Sequence, residues 1–192
     1  MIGLFGGSFD PVHCGHLIVA RAAMEQLGLD EVRFMPAGAQ PLKQGHGAPP
    51  ADRLAMVREA VATEPGFAVE PIEVQRAGPS YTVETLATLT ARLPGVPLVL
   101  LIGADAALDF RRWREPDEVR RLARVVVLTR DGAAAQVPED LEVVRVPAVE
   151  ISATMIRARV RAGLSIRWLV PDAVADLIAA RGLYLTPDDV ER

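Results

Sequence analysis

Apolar residues recur along this chain in two alternating rhythms, short unbroken runs and longer stretches of helical period. Residues 2–5, Ile-Gly-Leu-Phe, form an apolar run that passes straight into Gly6-Gly7. Residues 15–27 then carry Leu17, Ile18, Ala20, Met24 and Leu27 at near-helical spacing, closed by Gly28 as the expected C-cap. Residues 32–35 predict a second strand, and residues 36–50, rich in Gly, Pro and Gln without apolar period, a long loop. Helical period returns over residues 52–63 through Leu54, Val57, Ala60 and Val61 and stops before Pro65. Residues 67–74 read as a strand broken at Pro71, and a helix carrying Val83, Leu86, Leu89 and Leu93 follows, with Ser80 or Thr82 as its N-cap.

The second half repeats the alternation. Residues 97–102 are the most apolar run, which suits a central strand covered on both faces, and they end in a turn, Gly103-Ala104-Asp105. Pro116 opens a helix to Ala123, residues 125–128 form a buried strand, residues 130–139 a surface loop and residues 142–146 a last short strand. Ser152 caps a helix through Arg161 that ends at Gly163, and residues 171–181 form a final amphipathic helix ending at Gly182. Strands alternating with helices predict the α/β class, a doubly wound, mostly parallel sheet with a C-terminal helical segment, in a single domain over residues 1–192. Ligands of such sheets sit beyond the carboxyl ends of the strands, where the strand order reverses.

Composition narrows the function classes. The chain has 192 residues, half of them apolar, enough for a sizeable core. No apolar stretch reaches the ~18 to 20 residues of a membrane helix, and residues 1–7 enter strand pattern without a basic leader, so no membrane association and a cytoplasmic location are expected. A single cysteine, Cys14, excludes an internal disulfide, and His13, Cys14 and His16 lack the distant partners of a structural zinc site. Cys14 is expected to be a bystander. The net charge of -4 gives no global attraction to nucleic acid, which is not expected as a partner. The arginines at 111, 112, 114, 120, 121 and 124 are interrupted by Glu115, Asp117 and Glu118, the pattern of a solvated helix surface. Lys43 is the only lysine.

Two stretches carry chemistry. In the first, Gly6 to His16, glycines let the backbone approach an anion closely, and the following helix offers unpaired N–H groups and its positive dipole end. Neither the P-loop nor the dinucleotide fingerprint is present; two histidines stand where a lysine would serve. An imidazole donates to a phosphate oxygen whether neutral or charged, and so can follow charge developing in a transition state. The second stretch is Ile151-Ser152-Ala153-Thr154-Met155-Ile156-Arg157, where an N-cap hydroxyl, a threonine and an arginine three residues further gather donors around one point. Capping alone would also explain it, but two anion cradles in one small sheet protein favour a polyphosphate.

Gly6-Gly7-Ser8-Phe9-Asp10-Pro11-Val12-His13 with Gly15-His16, and Ile151-Ser152 with Thr154, Ile156 and Arg157, resemble the paired signatures of the nucleotidyltransferase superfamily with the His-x-Gly-His motif. Residues 78–86, Gly-Pro-Ser-Tyr-Thr-Val-Glu-Thr-Leu, and Ile102-Gly103-Ala104-Asp105 followed by Trp113 resemble the bacterial nicotinate-nucleotide adenylyltransferase branch. The likeness runs from Met1 to about Leu185. It implies a Rossmann-like nucleotidyltransferase fold and adenylyl transfer from the co-substrate ATP to nicotinate mononucleotide, giving deamido-NAD and pyrophosphate in NAD biosynthesis.

By the same resemblance, His13 and His16 would act at the reacting phosphates, and Gly6, Gly7, Ser8 and Phe9 would supply backbone contacts. Gly103 and Asp105 would lie by the nucleotide, with Asp105 either accepting ribose hydroxyls or capping the next helix. Ser152, Thr154 and Arg157 would hold the β- and γ-phosphates. Tyr81, Thr82 and Trp113 would surround the pyridine ring and its carboxylate, and Lys43, with Arg53 as a weaker candidate, would bind the acceptor phosphate. Mg²⁺ would be carried with ATP and not by a protein cage. Leu42 departs from the family pattern, standing where a histidine is usual. Sister enzymes remain open alternatives: a nicotinamide-mononucleotide or pantetheine-phosphate adenylyltransferase, or a cytidylyltransferase. So does a non-catalytic nucleotide-binding module, whereas an aminoacyl-tRNA synthetase would need a second, lysine-rich loop. A homo-oligomer is compatible with the sequence, which does not specify one.

Overall fold

The computed structural model describes residues 1–38, 47–129 and 137–185. Six strands form one parallel sheet: β1 (Ile2–Gly7), β2 (Glu31–Pro36), β3 (Phe67–Val69), β4 (Leu98–Gly103), β5 (Arg124–Thr129) and β6 (Glu142–Arg145). Their order across the sheet is β3-β2-β1-β4-β5-β6, with every neighbouring pair parallel. The chain therefore winds outward from β1 to β3, returns, and winds the other way from β4. That reversal lies between β1 and β4, paired from Ile2↔Leu98 to Phe5↔Leu101, so the crevice expected for a ligand opens where Gly7 and Gly103 end their strands.

Side-chain alternation along the central strands divides them between two cores. Leu98, Leu100 and Ile102 of β4 and Val125 and Val127 of β5 join a cluster with Leu4, Leu86, Leu89 and Phe110, while Val99, Leu101, Val126 and Leu128 join another with Phe5, Phe34, Ala20 and Ile178. Each fully buried Leu, Phe or Ile here stabilises the fold by roughly 1.5–3 kcal/mol relative to exposure. The helices that cover the two faces are α1 (Cys14–Leu27), α2 (Pro50–Val61), α3 (Ile72–Gln75), α4 (Thr82–Arg92), α5 (Ala104–Leu108), α6 (Pro116–Leu122), α7 (Ala153–Arg161) and α8 (Asp172–Ala180).

Several ends follow local chemistry. Gly28 closes α1 at φ 62°, the left-handed conformation that glycine adopts without a Cβ penalty. Pro116 stands in the first turn of α6, and the Ser152 hydroxyl accepts the Met155 N–H at 3.2 Å to cap α7. Three expectations need correction. The strand over residues 67–74 is only Phe67–Val69; Pro71, which lacks an N–H, interrupts it, and Ile72–Gln75 turn into α3. α4 has Tyr81 as its N-cap without a side-chain bond, because the Ser80 hydroxyl is turned to the Glu73 carbonyl at 3.4 Å and Thr82 is already helical. The turn at residues 103–105 is the start of α5, capped by Gly103, so Asp105 is inside the first turn and is not its cap. Of the arginines of residues 111–124, Arg111, Arg112, Arg120, Arg121 and Arg124 are paired with Asp109, Glu118, Asp140 and Glu142 and Arg114 with Glu84; Arg112 and Arg114 also line a cavity, which corrects the reading of a wholly solvated surface there.

Candidate active site

Beyond the ends of β1 and β4 lies a cavity of about 590 Å³. Gly6, Gly7 and Ser8 line it from β1, Gly103 and Asp105 from the start of α5, and Tyr81, Thr82 and Trp113 from its outer wall. The two aromatic walls are held by different forces. Trp113 packs on Phe110, itself 1% exposed, with ring centroids 5.2 Å apart. Tyr81 lies under the Arg114 guanidinium, 4.8 Å from the ring centroid, and Arg114 is fixed by the Glu84 carboxylate at 2.8 Å. Beside the cavity, behind the lining residue Glu73, packing is tight: a Cβ on Gly38 would stand 2.3 Å from the Glu73 carbonyl oxygen. The buried Glu73 carboxyl is pushed up by desolvation, opposed by the Thr85 hydroxyl that donates to it at 3.1 Å and by the nearby Arg76 charge.

Next to this cavity the chain passes from Ser8 into α1. Phe9 takes a left-handed φ of 47°, a conformation that costs a non-glycine residue roughly 1–2 kcal/mol, and it is held there by its ring packed edge-on against Phe5. The Asp10–Pro11 bond is cis. His13 is the N-cap of α1, and its backbone N–H donates to Nδ1 of His16 at 3.2 Å. With Nδ1 accepting, the His16 ring carries its proton on Nε2. The two imidazoles stack with centroids 3.6 Å apart, and His16 meets the Phe9 ring edge-on at 5.0 Å. Gly15 lies under the His13 ring, where an added Cβ would come within 3.0 Å of Nδ1. The Cys14 thiol is half-buried and pushed up by desolvation, which suppresses thiolate chemistry and agrees with a bystander.

The second cradle, Ser152, Thr154 and Arg157, does not line the cavity; it reaches the same loop from the other side. Arg157 Nη1 donates to the Asp10 carbonyl at 2.7 Å and Nη2 donates to the Thr154 hydroxyl at 3.3 Å. The expected meeting of the two motifs thus runs through Asp10, a residue that the motif reading left without a role. The Asp10 carboxylate accepts the Gly47 N–H at 2.6 Å, the Ala48 N–H at 3.0 Å and the Tyr184 hydroxyl at 2.8 Å. Arg53, the weaker candidate for an acceptor phosphate, is fully buried, and its Nη1 holds the Ser8 carbonyl at 2.8 Å. Leu42 and Lys43 lie outside the described residues.

Electrostatics separates the two motif helices from the rest. Neither α1 nor α7 carries an acidic residue in its first turn, whereas α2 has Asp52, α4 Glu84, α6 Asp117 and Glu118, and α8 Asp172. An acid there stabilises a helix by its dipole, so its absence leaves the positive end available to a bound anion. Among the described residues no group of three or more His, Cys, Asp or Glu could hold a metal ion, and no helix is long and apolar enough to cross a membrane.

A parallel sheet reversed at β1/β4, with glycines and a helix start at the reversal, is the architecture of an α/β protein that handles nucleotide phosphates. The chain belongs to the cytidylyltransferase-like family, whose model matches residues 4–159. Within it, a probable nicotinate-nucleotide adenylyltransferase of Roseiflexus sp. (strain RS-1) is 47% identical over 195 residues, covering 95% of this chain and 97% of that protein. One of Gemmatimonas aurantiaca is 45% identical over 193 residues, covering 95% of this chain and 92% of its own length. Among solved structures, the nicotinic acid mononucleotide adenylyltransferase of Plasmodium falciparum complexed with NaAD superposes with a TM-score of 0.75 at 17% identity, over 95% of this chain and 96% of that one. That likeness establishes the α/β nucleotidyltransferase fold.

Proposed function

We propose that this chain, acting as one nucleotidyltransferase domain, transfers the adenylyl group of ATP to nicotinate mononucleotide, giving deamido-NAD and pyrophosphate. The observation that carries this reading is a cavity with two aromatic walls opening onto Gly7 and Ser8, beside helix starts kept free of acids, in a chain 47% identical to a named probable nicotinate-nucleotide adenylyltransferase. A phosphate oxygen of the mononucleotide attacks the α-phosphorus of ATP. The new P–O bond forms as the bond to the β-phosphate oxygen breaks, and pyrophosphate leaves with that electron pair. No enzyme nucleophile is needed, so catalysis consists of positioning and charge stabilisation.

In this reading the pyridine ring lies between Tyr81 and Trp113, with its carboxylate at the Thr82 end of α4, and Asp105 accepts ribose hydroxyls. Gly6, Gly7, Ser8 and Phe9 offer backbone to the phosphates, and Gly103 leaves space for the nucleotide. His16 donates from Nε2 to the α-phosphate while His13 orients it, and the open start of α7, with Ser152, Thr154 and Arg157, takes the β- and γ-phosphates. Lys43 meets the acceptor phosphate. Mg²⁺ would come with the nucleotide and screen its phosphate charge, so that no protein cage of acids would be needed. The test is pyrophosphate release by the purified chain with ATP, Mg²⁺ and, in turn, nicotinate mononucleotide, nicotinamide mononucleotide and phosphopantetheine. Preferred turnover of the nicotinate compound is expected; turnover of another acceptor alone would discard the assignment within the family.

A further inference from the structure

Tyr184 is a C-terminal residue 174 positions from Asp10, yet its hydroxyl donates to the Asp10 carboxylate at 2.8 Å while its side chain is 1% exposed. Its backbone sits in the left-handed region at φ 65°, sparsely populated for a tyrosine, so the packing around the ring and the hydroxyl bond hold it against an intrinsic preference. The carboxylate it meets joins three parts of the site. It accepts the N–H groups of Gly47 and Ala48, which lead into α2; α2 carries Arg53, which grips the Ser8 carbonyl. The carbonyl of the same Asp10 accepts from Arg157 on α7, whose Nη1 also stands 3.9 Å from the carboxylate. Gly47 is packed between these groups, a Cβ there falling 3.0 Å from Cδ of Arg157 and 3.1 Å from the Tyr184 ring. Burial and the adjacent Asp10 carboxylate push the phenol far above its ordinary range, so it remains a donor at every working pH.

We propose that Tyr184 is a positioning residue for adenylyl transfer: its hydroxyl fixes the Asp10 carboxylate, and through Asp10 it sets where Arg157 stands on the ATP side of the site. The proposal rests on the adenylyl-transfer reading above. It adds that the segment after α8 is part of the phosphate machinery, without touching substrate. Asp10 has no room to turn: both carboxylate oxygens are occupied by donors from two separate stretches, residues 47–48 and Tyr184. Loss of the tyrosine donor leaves one of those oxygens with a single N–H, from Ala48, and frees the carboxylate to move toward the guanidinium. A guanidinium drawn onto a carboxylate is less available to a β- or γ-phosphate. The acceptor cavity, whose lining does not include Asp10, Arg157 or Tyr184, is left as it was.

The experiment is steady-state kinetics of the whole chain with Tyr184→Phe, which keeps the ring and removes the donor, combined with Arg157→Ala in a double-mutant cycle. Tyr184→Phe is expected to lower kcat/KM for ATP about tenfold, through a raised KM for ATP, while KM for the acceptor stays within about twofold. In the Arg157→Ala background the same change is expected to cost less than about twofold. Wild-type kinetics of Tyr184→Phe, or the same loss in both backgrounds, would overturn the proposal. So would a fall in kcat alone that follows the fraction of folded protein in thermal unfolding. If Tyr184→Phe does not fold, Asp10→Asn enters the cycle in its place with the same expected pattern. Should the wild type use a different phosphate acceptor, the acceptor assignment fails alone, and the cycle is read with that acceptor.

Discussion

The N-termini of α1 and α7 begin alike and are surrounded differently. Both lack an acid in the first turn, but α1 starts at His13, 6% exposed and stacked on His16, whereas α7 starts at an exposed serine whose next polar neighbour, Thr154, is also exposed. At the second helical position the contrast is steric. Gly15 leaves little room for a Cβ, which would fall 3.0 Å from the His13 ring, while the corresponding residue of α7, Thr154, carries a full, exposed side chain. A buried start fixes two imidazoles to within the tolerance of the packing around Phe9 and Phe5, which suits groups that must meet a transition state. An open start grips by charge and hydroxyls, which suits phosphates that leave. The two ends therefore divide the proposed reaction into an enclosed, rigid centre and a solvent-open grip.

The strongest way to break that division is at the rigid end. His16→Ala is expected to lower kcat by about 10² or more, the loss typical of a preorganised donor to developing charge, while the dissociation constant for ATP measured by calorimetry changes much less. Proportionate losses in ATP binding and rate would mean that the His16 imidazole binds the ground state, and the contrast with α7 would fall.

What the sequence made legible follows from how local the cause is. A run of apolar residues ending in glycines, a serine before a helical period and a glycine after one act within a few residues, and the ends of β1, α1 and α7 stand where those patterns put them. Pro71 marks a break in the pattern but not the turn of helix, α3, that follows it, and the N-cap of α4 is misplaced because the Ser80–Glu73 contact joins segments that the pattern does not bring together. Asp10 and Tyr184 were missed for the same reason in stronger form. An aspartate between Phe9 and Pro11 reads as a turn residue, and only the closing of the chain brings a tyrosine from the far end onto it. Arg53 reads as a weaker candidate for the acceptor phosphate, and its burial against the Ser8 carbonyl is decided by how α2 docks. Spacing reveals which residues share a helix turn; it does not reveal which buried polar groups find each other across the molecule.

At the open end the effects are smaller and fall on stability as well as on binding. Ser152→Ala removes the acceptor of the Met155 N–H and is expected to destabilise the chain by about 1 kcal/mol in denaturant unfolding, an ordinary N-cap loss. A change well below half of that would show that water replaces the hydroxyl completely at this exposed site.

The smallest predicted effect separates helix chemistry from phosphate chemistry by its sign. Ala153→Asp places a carboxylate in the first turn of α7, where α2, α4, α6 and α8 already have one. As a helix N-terminus alone, α7 should gain roughly 0.3–1 kcal/mol from the new charge on its dipole. As a grip for the β- and γ-phosphates it should lose affinity, because the carboxylate occupies the positive end and repels the nucleotide. The expected result is a chain that unfolds at higher denaturant concentration yet has a KM for ATP raised by about two- to fivefold, the rise shrinking as salt screens the repulsion. Since one substitution is asked to move stability up and ATP affinity down, a change in which both rise, or in which KM for ATP stays put at low salt, would show that the acid-free start of α7 is incidental to the nucleotide.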